Sequence, residues 1–157
     1  MVAFDEKADV GLLEFPTDEV YPYSPVALAG RGVKKGDAVA SVGCGGGEAP
    51  TMQQHKVISL NRYLGPDHIE CSGEPIEGRS GGGLFDKSGS VVGVCFARDP
   101  QDHRGLYCGL KPIHKLLDHC RLTHLYQQPA ADTTTESNTP MLVEDTHAVD
   151  DLLGEEA

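Results

Sequence analysis

Three consecutive glycines at residues 81–83 limit what this part of the chain can fold into. A glycine in a helix interior costs about 1 kcal/mol relative to alanine, so a run of three is a poor start for a helix. The glycines are followed by an apolar pair at residues 84–85, a turn of sequence Asp-Lys-Ser-Gly at residues 86–89 and an apolar run at residues 91–96. This order is typical of a β-hairpin.

Short apolar runs separated by turn residues continue along the chain. Its 157 residues include 19 glycines and 10 prolines, which favours one all-β domain with many turns over a helical bundle. Further strands are predicted at residues 9–15, 26–28, 38–42, 55–64, 68–71 and 106–110. A helix is predicted to start at Pro112, because apolar residues follow it at helical spacing on one face.

Charge is distributed unevenly along the chain. The net charge is −11 at pH 7, yet residues 129–157 hold eight acidic residues and no basic one. We therefore predict a domain at residues 1–126 and an acidic disordered tail at residues 127–157. Basic residues are too few for a nucleic-acid partner. No stretch approaches the ~18 apolar residues of a membrane span, and the first residues do not have the pattern of a signal peptide.

The cysteines and the other glycine cluster do not predict a cofactor. No Cys-x-x-Cys pair occurs among Cys44, Cys71, Cys95, Cys108 and Cys120. We therefore expect no metal site. The sequence leaves one disulfide between two of these cysteines possible, and the other cysteines are expected to be buried free thiols. A nucleotide site at residues 43–47 is excluded, because Glu48 interrupts the Gly-x-Gly-x-x-Gly pattern and no Gly-Lys-Ser/Thr follows.

Ser80 is the candidate nucleophile, within the sequence Gly-Arg-Ser-Gly-Gly-Gly at residues 78–83. Flanking glycines leave no side chain between its hydroxyl and a substrate, and their N–H groups can converge on a developing oxyanion. A turn without function is the alternative for one isolated match. The nucleophile elbow of α/β-hydrolases also fits residues 78–82, but that serine must open a helix, and here a hairpin follows.

Four segments together resemble the trypsin-like serine peptidases of the chymotrypsin fold, in particular the bacterial Deg/HtrA-like branch. Residues 78–82 resemble the Gly-x-Ser-Gly-Gly nucleophile loop of that family, and Asp-Val-Gly-Leu-Leu at residues 9–13 resembles its Asp-x-Ala-Leu-Leu segment. Residues 33–43 resemble a strand that leads to a Gly-rich loop, and residues 91–94 resemble the strand after the nucleophile. Four matches in the right order are more specific than one.

The resemblance implies a fold and a set of roles. The fold is the second Greek-key barrel of a chymotrypsin-like protease with the last strand of the first barrel and a C-terminal helix. Ser80 attacks a peptide carbonyl, the N–H groups of Gly78 and Ser80 form the oxyanion hole, and Asp9 orients a histidine. Glu74 lies six residues before Ser80, where an acid at the floor of the specificity pocket favours Lys or Arg. Full-length relatives are often periplasmic or secreted, but no residue here indicates a location.

The chain departs from that family at the catalytic histidine. In the family this histidine precedes the aspartate, whereas residues 1–8 contain none and all seven histidines follow Asp9. We expect those seven at the surface or in loops. Without a base, the Ser80 hydroxyl stays protonated and weakly nucleophilic.

Two functions therefore stay open. The first is a serine endopeptidase that has been cut short, is inactive as this chain and has strand edges free for self-association. The alternative is a noncatalytic peptide-binding or degenerate protease-like module.

Overall fold

Eight β-strands and one α-helix make up the part of the chain that the structure, a computed structural model, describes, which is residues 2–127. The strands are β1 (Ala3–Asp5), β2 (Val10–Leu12), β3 (Ala38–Gly43), β4 (Thr51–Leu60), β5 (His68–Ser72), β6 (Gly83–Phe85), β7 (Val91–Asp99) and β8 (Arg104–Cys108). The helix α1 (Leu110–His119) follows β8 directly, and a 3₁₀ helix (Thr123–Leu125) comes after it.

Six of the strands close into an antiparallel barrel. Their order around the barrel is β3-β4-β5-β8-β7-β6, and β6 pairs back onto β3 to complete the ring. After β5 the chain therefore does not continue to the neighbouring strand but crosses to the far side, where β6 fills the gap between β3 and β7. The crossing segment is residues 73–82, and it contains Ser80.

Side chains that alternate along the strands fill the barrel. One cluster of buried side chains comes from all six barrel strands, and it consists of Val39, Val57, Ile69, Cys71, Leu84, Val92, Cys95 and Tyr107, joined by Ala27 and Leu110. Alternate residues of a strand point to the same face, so one face of each strand supplies this core. Register shifts in β4, β6 and β7 interrupt the ladders, as expected where strands bend to close a barrel.

The β1-β2 hairpin lies outside the barrel and is attached to it through α1. Ile113, Leu116 and Leu117 of the helix pack against Ala8 and Val10 of the hairpin in a second apolar cluster. Cys108 at the end of β8 belongs to the same cluster. The helix therefore fixes the position of the turn between β1 and β2 relative to the barrel, and this turn carries Asp9.

The predicted all-β barrel with a C-terminal helix is confirmed, with differences in detail. Of the predicted strand at residues 9–15 only residues 10–12 form a strand, β2, and its partner β1 at residues 3–5 was not predicted. Residues 26–28 form only an isolated bridge from Val26 to Val91. The helix starts at Leu110, so Pro112 is its third residue, a position where the missing N–H has no intrahelical partner to lose. All five cysteines are free, so the disulfide left open by the sequence is not formed.

Two further predictions concern the acidic tail and a membrane span. The predicted acidic tail at residues 127–157 lies, apart from Gln127, outside the described residues. Within residues 2–127, no helix has the length and apolar character needed to cross a bilayer.

Replacing Leu84 in β6 tests the strand that closes the barrel. Its side chain is 0% exposed, so we expect Leu84→Ala to lower the free energy of unfolding by about 2–5 kcal/mol. The matched control is Leu64→Ala, because Leu64 is 106% exposed and its truncation should change stability by less than about 0.5 kcal/mol. Urea denaturation measures both; equal losses in the two variants would contradict the assignment of β6 to the core.

Candidate active site

The loop that carries Ser80 adopts a backbone that only glycine accepts easily at its key positions. Gly78 has φ +95°, in the left-handed region, and a Cβ built on it would lie 3.1 Å from the nitrogen of Gly46. At Gly82 a Cβ would lie 2.6 Å from the carbonyl oxygen of Val42. Both glycines are therefore required by close backbone approach, and the loop packs directly against β3 and the Gly-rich turn that follows it.

Hydrogen bonds hold the second half of the loop against β7. Gly81 N–H donates to the carbonyl of Cys95 at 2.8 Å, and Cys95 N–H donates to the carbonyl of Gly82 at 2.9 Å. By contrast, the N–H groups of Gly78 and Ser80 donate to no other described residue, and the exposed Ser80 hydroxyl has no partner among them either. The two amides that the resemblance assigns to the oxyanion hole are thus unpaired.

A cavity of about 360 Å³ lies beside Ser80, near the lower end of the range for ligand pockets. Its lining residues come from the crossing segment and from β7, and they are Pro75, Glu77, Gly78, Ser80, Cys95, Phe96, Ala97 and Arg98. The β7 register shift falls between Cys95 and Ala97, within this wall. Such bulges re-aim side chains next to active sites.

Asp9 lies at the turn between β1 and β2, with φ +49° and an exposed side chain. It lines a smaller cavity of about 210 Å³, and Phe96 of β7 lines both this cavity and the one beside Ser80. Phe96 is therefore a lining residue common to the cavities beside the two predicted triad residues. Asp9 makes no hydrogen bond to a histidine within the described residues.

The carboxylate of Glu74, the predicted specificity residue, interacts with Arg98 and His103. Its carboxylate pairs with Arg98 at 3.0 Å and lies 3.3 Å from the Nδ1 atom of His103. Arg98, not Glu74, lines the cavity beside Ser80.

None of the six histidines within residues 2–127 is hydrogen-bonded to Ser80, and His147 lies outside the description. The expectation that all of them lie at the surface or in loops is wrong for three. His68 is buried in β5 at 7% exposure, His55 is half-buried in β4, and His114 in α1 bonds the carbonyl of Ala27. Strand pairing and helix packing bring these side chains inward, which residue type alone does not reveal.

Arg79, for which the sequence offers no role, is the most densely bonded side chain near the loop. It is 2% exposed, and its two terminal nitrogens donate five hydrogen bonds to β3 and to the first residue of β4. The acceptors are the carbonyls of Ser41, Gly43 and Thr51 and the hydroxyls of Ser41 and Thr51. A buried charge is tolerated when hydrogen bonds satisfy it in this way.

The bonds around Ser41 have only one consistent direction. His55 Nδ1 faces the carbonyl of Ser72 at 2.6 Å and must donate to it, so Nε2 of the neutral ring is an acceptor. The Ser41 hydroxyl, 2.9 Å away, donates to that Nε2 and accepts from Arg79 at 3.1 Å. The chain of donors therefore runs from Arg79 through Ser41 to His55 and ends at Ser72.

Ser41 and His55 have the contact of a nucleophile and its base, but not the accessibility. Ser41 is 3% exposed, and Arg79 occupies its hydroxyl oxygen. A serine must reach a substrate carbonyl to act as a nucleophile. We therefore assign this pair to the barrel interior and not to catalysis.

Burial determines the protonation of the groups near the loop. It lowers the pKa of His55 below the ordinary 6.5; the hydrogen bond to Ser72 opposes this shift, and the charge of Arg79 adds to it. Burial raises the pKa of Cys95, so this thiol in the cavity wall stays protonated and is a poor nucleophile. Across residues 2–127 no cluster of His, Cys, Asp and Glu is placed to hold a metal ion.

Comparison with known proteins shows similarity at the level of the domain family and the fold. The sequence profile of the trypsin-like peptidase domain matches residues 1–94. The structure is similar to the active form of the Rv3671c protease from M. tuberculosis, with a TM-score of 0.66 and 23% identity over 83% of this chain and 60% of that one. It is also similar to the inactive form of Rv3671c protease, with a TM-score of 0.54 and 23% identity over 62% and 55% of the two chains.

The search of curated protein sequences gives no significant match. The chain spans 60% of the length of the active-form structure. The predicted chymotrypsin-like barrel is confirmed by the shared fold.

The pKa of His55 predicts how stability depends on pH. Burial lowers the pKa of His55 in the folded chain below the ordinary 6.5 that it has in the unfolded chain, so the unfolded state binds more protons just below that pH. The free energy of unfolding should therefore fall as the pH is lowered from 7 to about 5. Urea denaturation across this range measures it.

The control separates His55 from the other histidines. His55→Gln should flatten this part of the pH profile, while replacement of the exposed His124 by Gln should leave it unchanged. The same slope in His55→Gln and in the unsubstituted protein would contradict the assignment.

Proposed function

The chain belongs to the trypsin-like peptidase domain family, and from that premise we propose that Ser80 is the nucleophile of a serine endopeptidase. Its hydroxyl attacks the carbonyl of a peptide bond, and the N–H groups of Gly78 and Ser80 receive the negative charge of the tetrahedral intermediate. The proposal rests on the amides of Gly78 and Ser80. Neither amide donates a hydrogen bond within residues 2–127, and both residues line the cavity beside the exposed Ser80. A preorganised donor of this kind contributes roughly 10²–10³-fold to the rate.

Asp9 is the acid of the proposed triad. It orients a histidine and stabilises the imidazolium that forms when the histidine takes the Ser80 proton. Its place beside the cavity that shares Phe96 with the Ser80 cavity supports this role. No described histidine is hydrogen-bonded to Ser80 or Asp9, so the proposal assigns the base to none of them.

The proposed substrate is a polypeptide, and this chain alone is expected to be inactive. The role of Glu74 as the determinant of a Lys or Arg preference stays a prediction. While the ion pair with Arg98 is formed, the charge of the Glu74 carboxylate is neutralised. Exposed apolar side chains on the hairpin, including Phe4 at 52% exposure, favour self-association of the isolated chain.

A noncatalytic peptide-binding module is the second candidate. One observation favours it, namely that the Ser80 hydroxyl has no hydrogen-bond partner within residues 2–127. In this case the cavity beside Ser80 and the neighbouring strand edges hold an extended segment without cleaving it.

A fluorophosphonate probe tests the nucleophile. We expect covalent labelling of the longest in-frame product that carries a Thr-Ala-x-His-like strand upstream of Asp9, and loss of labelling in Ser80→Ala. Asp9→Asn should slow labelling by about 10⁴-fold, the effect reported for the same change in a serine protease triad. Mass spectrometry of the labelled peptide identifies the modified residue.

Two controls make the outcome decisive. Ser24→Ala, at an exposed serine, should label as the unsubstituted product does, and Ser41→Ala should retain the label because Ser41 is buried. Absence of labelling in a folded product that contains the histidine would overturn the endopeptidase and leave the peptide-binding module.

A further inference from the structure

Arg79 and Ser80 are adjacent in sequence but face opposite environments. Ser80 is exposed beside its cavity, whereas Arg79 is 2% exposed and its guanidinium is hydrogen-bonded to residues of β3 and β4. We infer that Arg79 is a positioning residue for the candidate oxyanion hole. This inference rests on the proposed function, because it concerns how the amides of that site are held.

The side chain of Arg79 reaches two strands at once. One terminal nitrogen donates to the carbonyl of Gly43 and the hydroxyl of Thr51, both at 2.9 Å. The other donates to Ser41 and to the carbonyl of Thr51, at 3.0–3.2 Å. A guanidinium is a planar, rigid fork, so five bonds from it define both position and orientation, which a lysine ammonium does not do.

The backbone of Arg79 passes this restraint to both sides of the loop. Its N–H donates to the carbonyl of Ile76 at 3.2 Å, and its carbonyl accepts from Gly82 N–H at 2.9 Å. One of these turns encloses Gly78 and the other encloses Ser80. Anchoring Arg79 therefore restrains both residues whose amides line the cavity.

The buried positive charge of Arg79 stabilises this conformation of the loop. No carboxylate within residues 2–127 forms an ion pair with it, so the five neutral acceptors supply its compensation. Withdrawing the guanidinium would leave strand carbonyls and a buried hydroxyl without their donor, which is unfavourable. The loop consequently has one well-satisfied position, with the amides of Gly78 and Ser80 left unpaired.

The Gly-rich turn after β3 supports the same position from the other side. Gly46 N–H donates to the carbonyl of Glu77 at 2.8 Å, one residue before Gly78. Residues 77 and 79 are thus both tied to the segment around β3, through a backbone bond and a side chain respectively. Of these two contacts, only the side-chain hydrogen bonds of Arg79 can be removed by a substitution that leaves the backbone groups in place.

Hydrogen exchange of the 157-residue chain, measured by NMR, tests the inference without requiring activity. In Arg79→Met we expect the amides of Gly81 and Gly82 to exchange about tenfold faster or more, as expected for loss of charge-assisted hydrogen bonds. The amide signals of Gly78 and Ser80 should shift as well. The ratios between the exchange rates of the β5 and β8 amides should stay as they are in the unsubstituted chain.

Three variants separate positioning from general stability. Arg79→Lys keeps the charge but not the fork and should give an intermediate effect, and Thr51→Val removes one acceptor and should give a smaller effect at the same amides. Arg31→Met removes an exposed positive charge and should change none of them. Should Arg79→Met fail to fold, Arg79→Lys and Thr51→Val carry the test.

The inference is overturned if exchange at Gly81 and Gly82 is unchanged, or if every barrel amide accelerates by the same factor. Its failure is distinct from failure of the proposed function, since the exchange experiment does not depend on Ser80 reactivity. Absence of fluorophosphonate labelling alongside local exchange effects would remove the oxyanion role and leave Arg79 as the residue that fixes the loop.

Discussion

Pairing of β6 with β3 is the contact on which the rest of the structure depends. It closes the barrel, and it also forces the chain to cross from β5 to a non-adjacent strand. The crossing leaves residues 73–82 outside the strand ladders, where a backbone can keep amides unpaired. The same closure brings β7 against this segment, so the cavity beside Ser80 lies between the crossing segment and one barrel strand.

Adjacent residues of the loop are used for opposite purposes. Arg79 is buried and both of its terminal nitrogens are hydrogen-bonded, while Ser80 is exposed and its hydroxyl has no hydrogen bond within the described residues. A rigid interior contact beside an open hydroxyl is the arrangement expected of a preorganised site, because donors that are already in place need no reorganisation when charge develops. His55 takes part in this interior network through its contact with Ser41.

The hairpin and helix supply the second half of the proposed site. Apolar contacts between α1 and the hairpin hold the turn that carries Asp9, and Phe96 connects the cavities of Asp9 and Ser80. The proposed catalytic groups are therefore contributed by the hairpin turn and by the crossing segment, which lie 71 residues apart in sequence (80 − 9).

Local patterns in the sequence were enough to determine the all-β class and the hairpin after residues 81–83, because turn residues and alternation act over a few positions. The roles of Ser80 and Asp9 follow from the resemblance and stay proposals. Only the tertiary structure decided the buried role of Arg79, the capture of Glu74 by Arg98 and the inward orientation of His55. Each of these depends on contacts between residues 14 to 38 positions apart, and their partners are determined by barrel closure, not by neighbouring sequence.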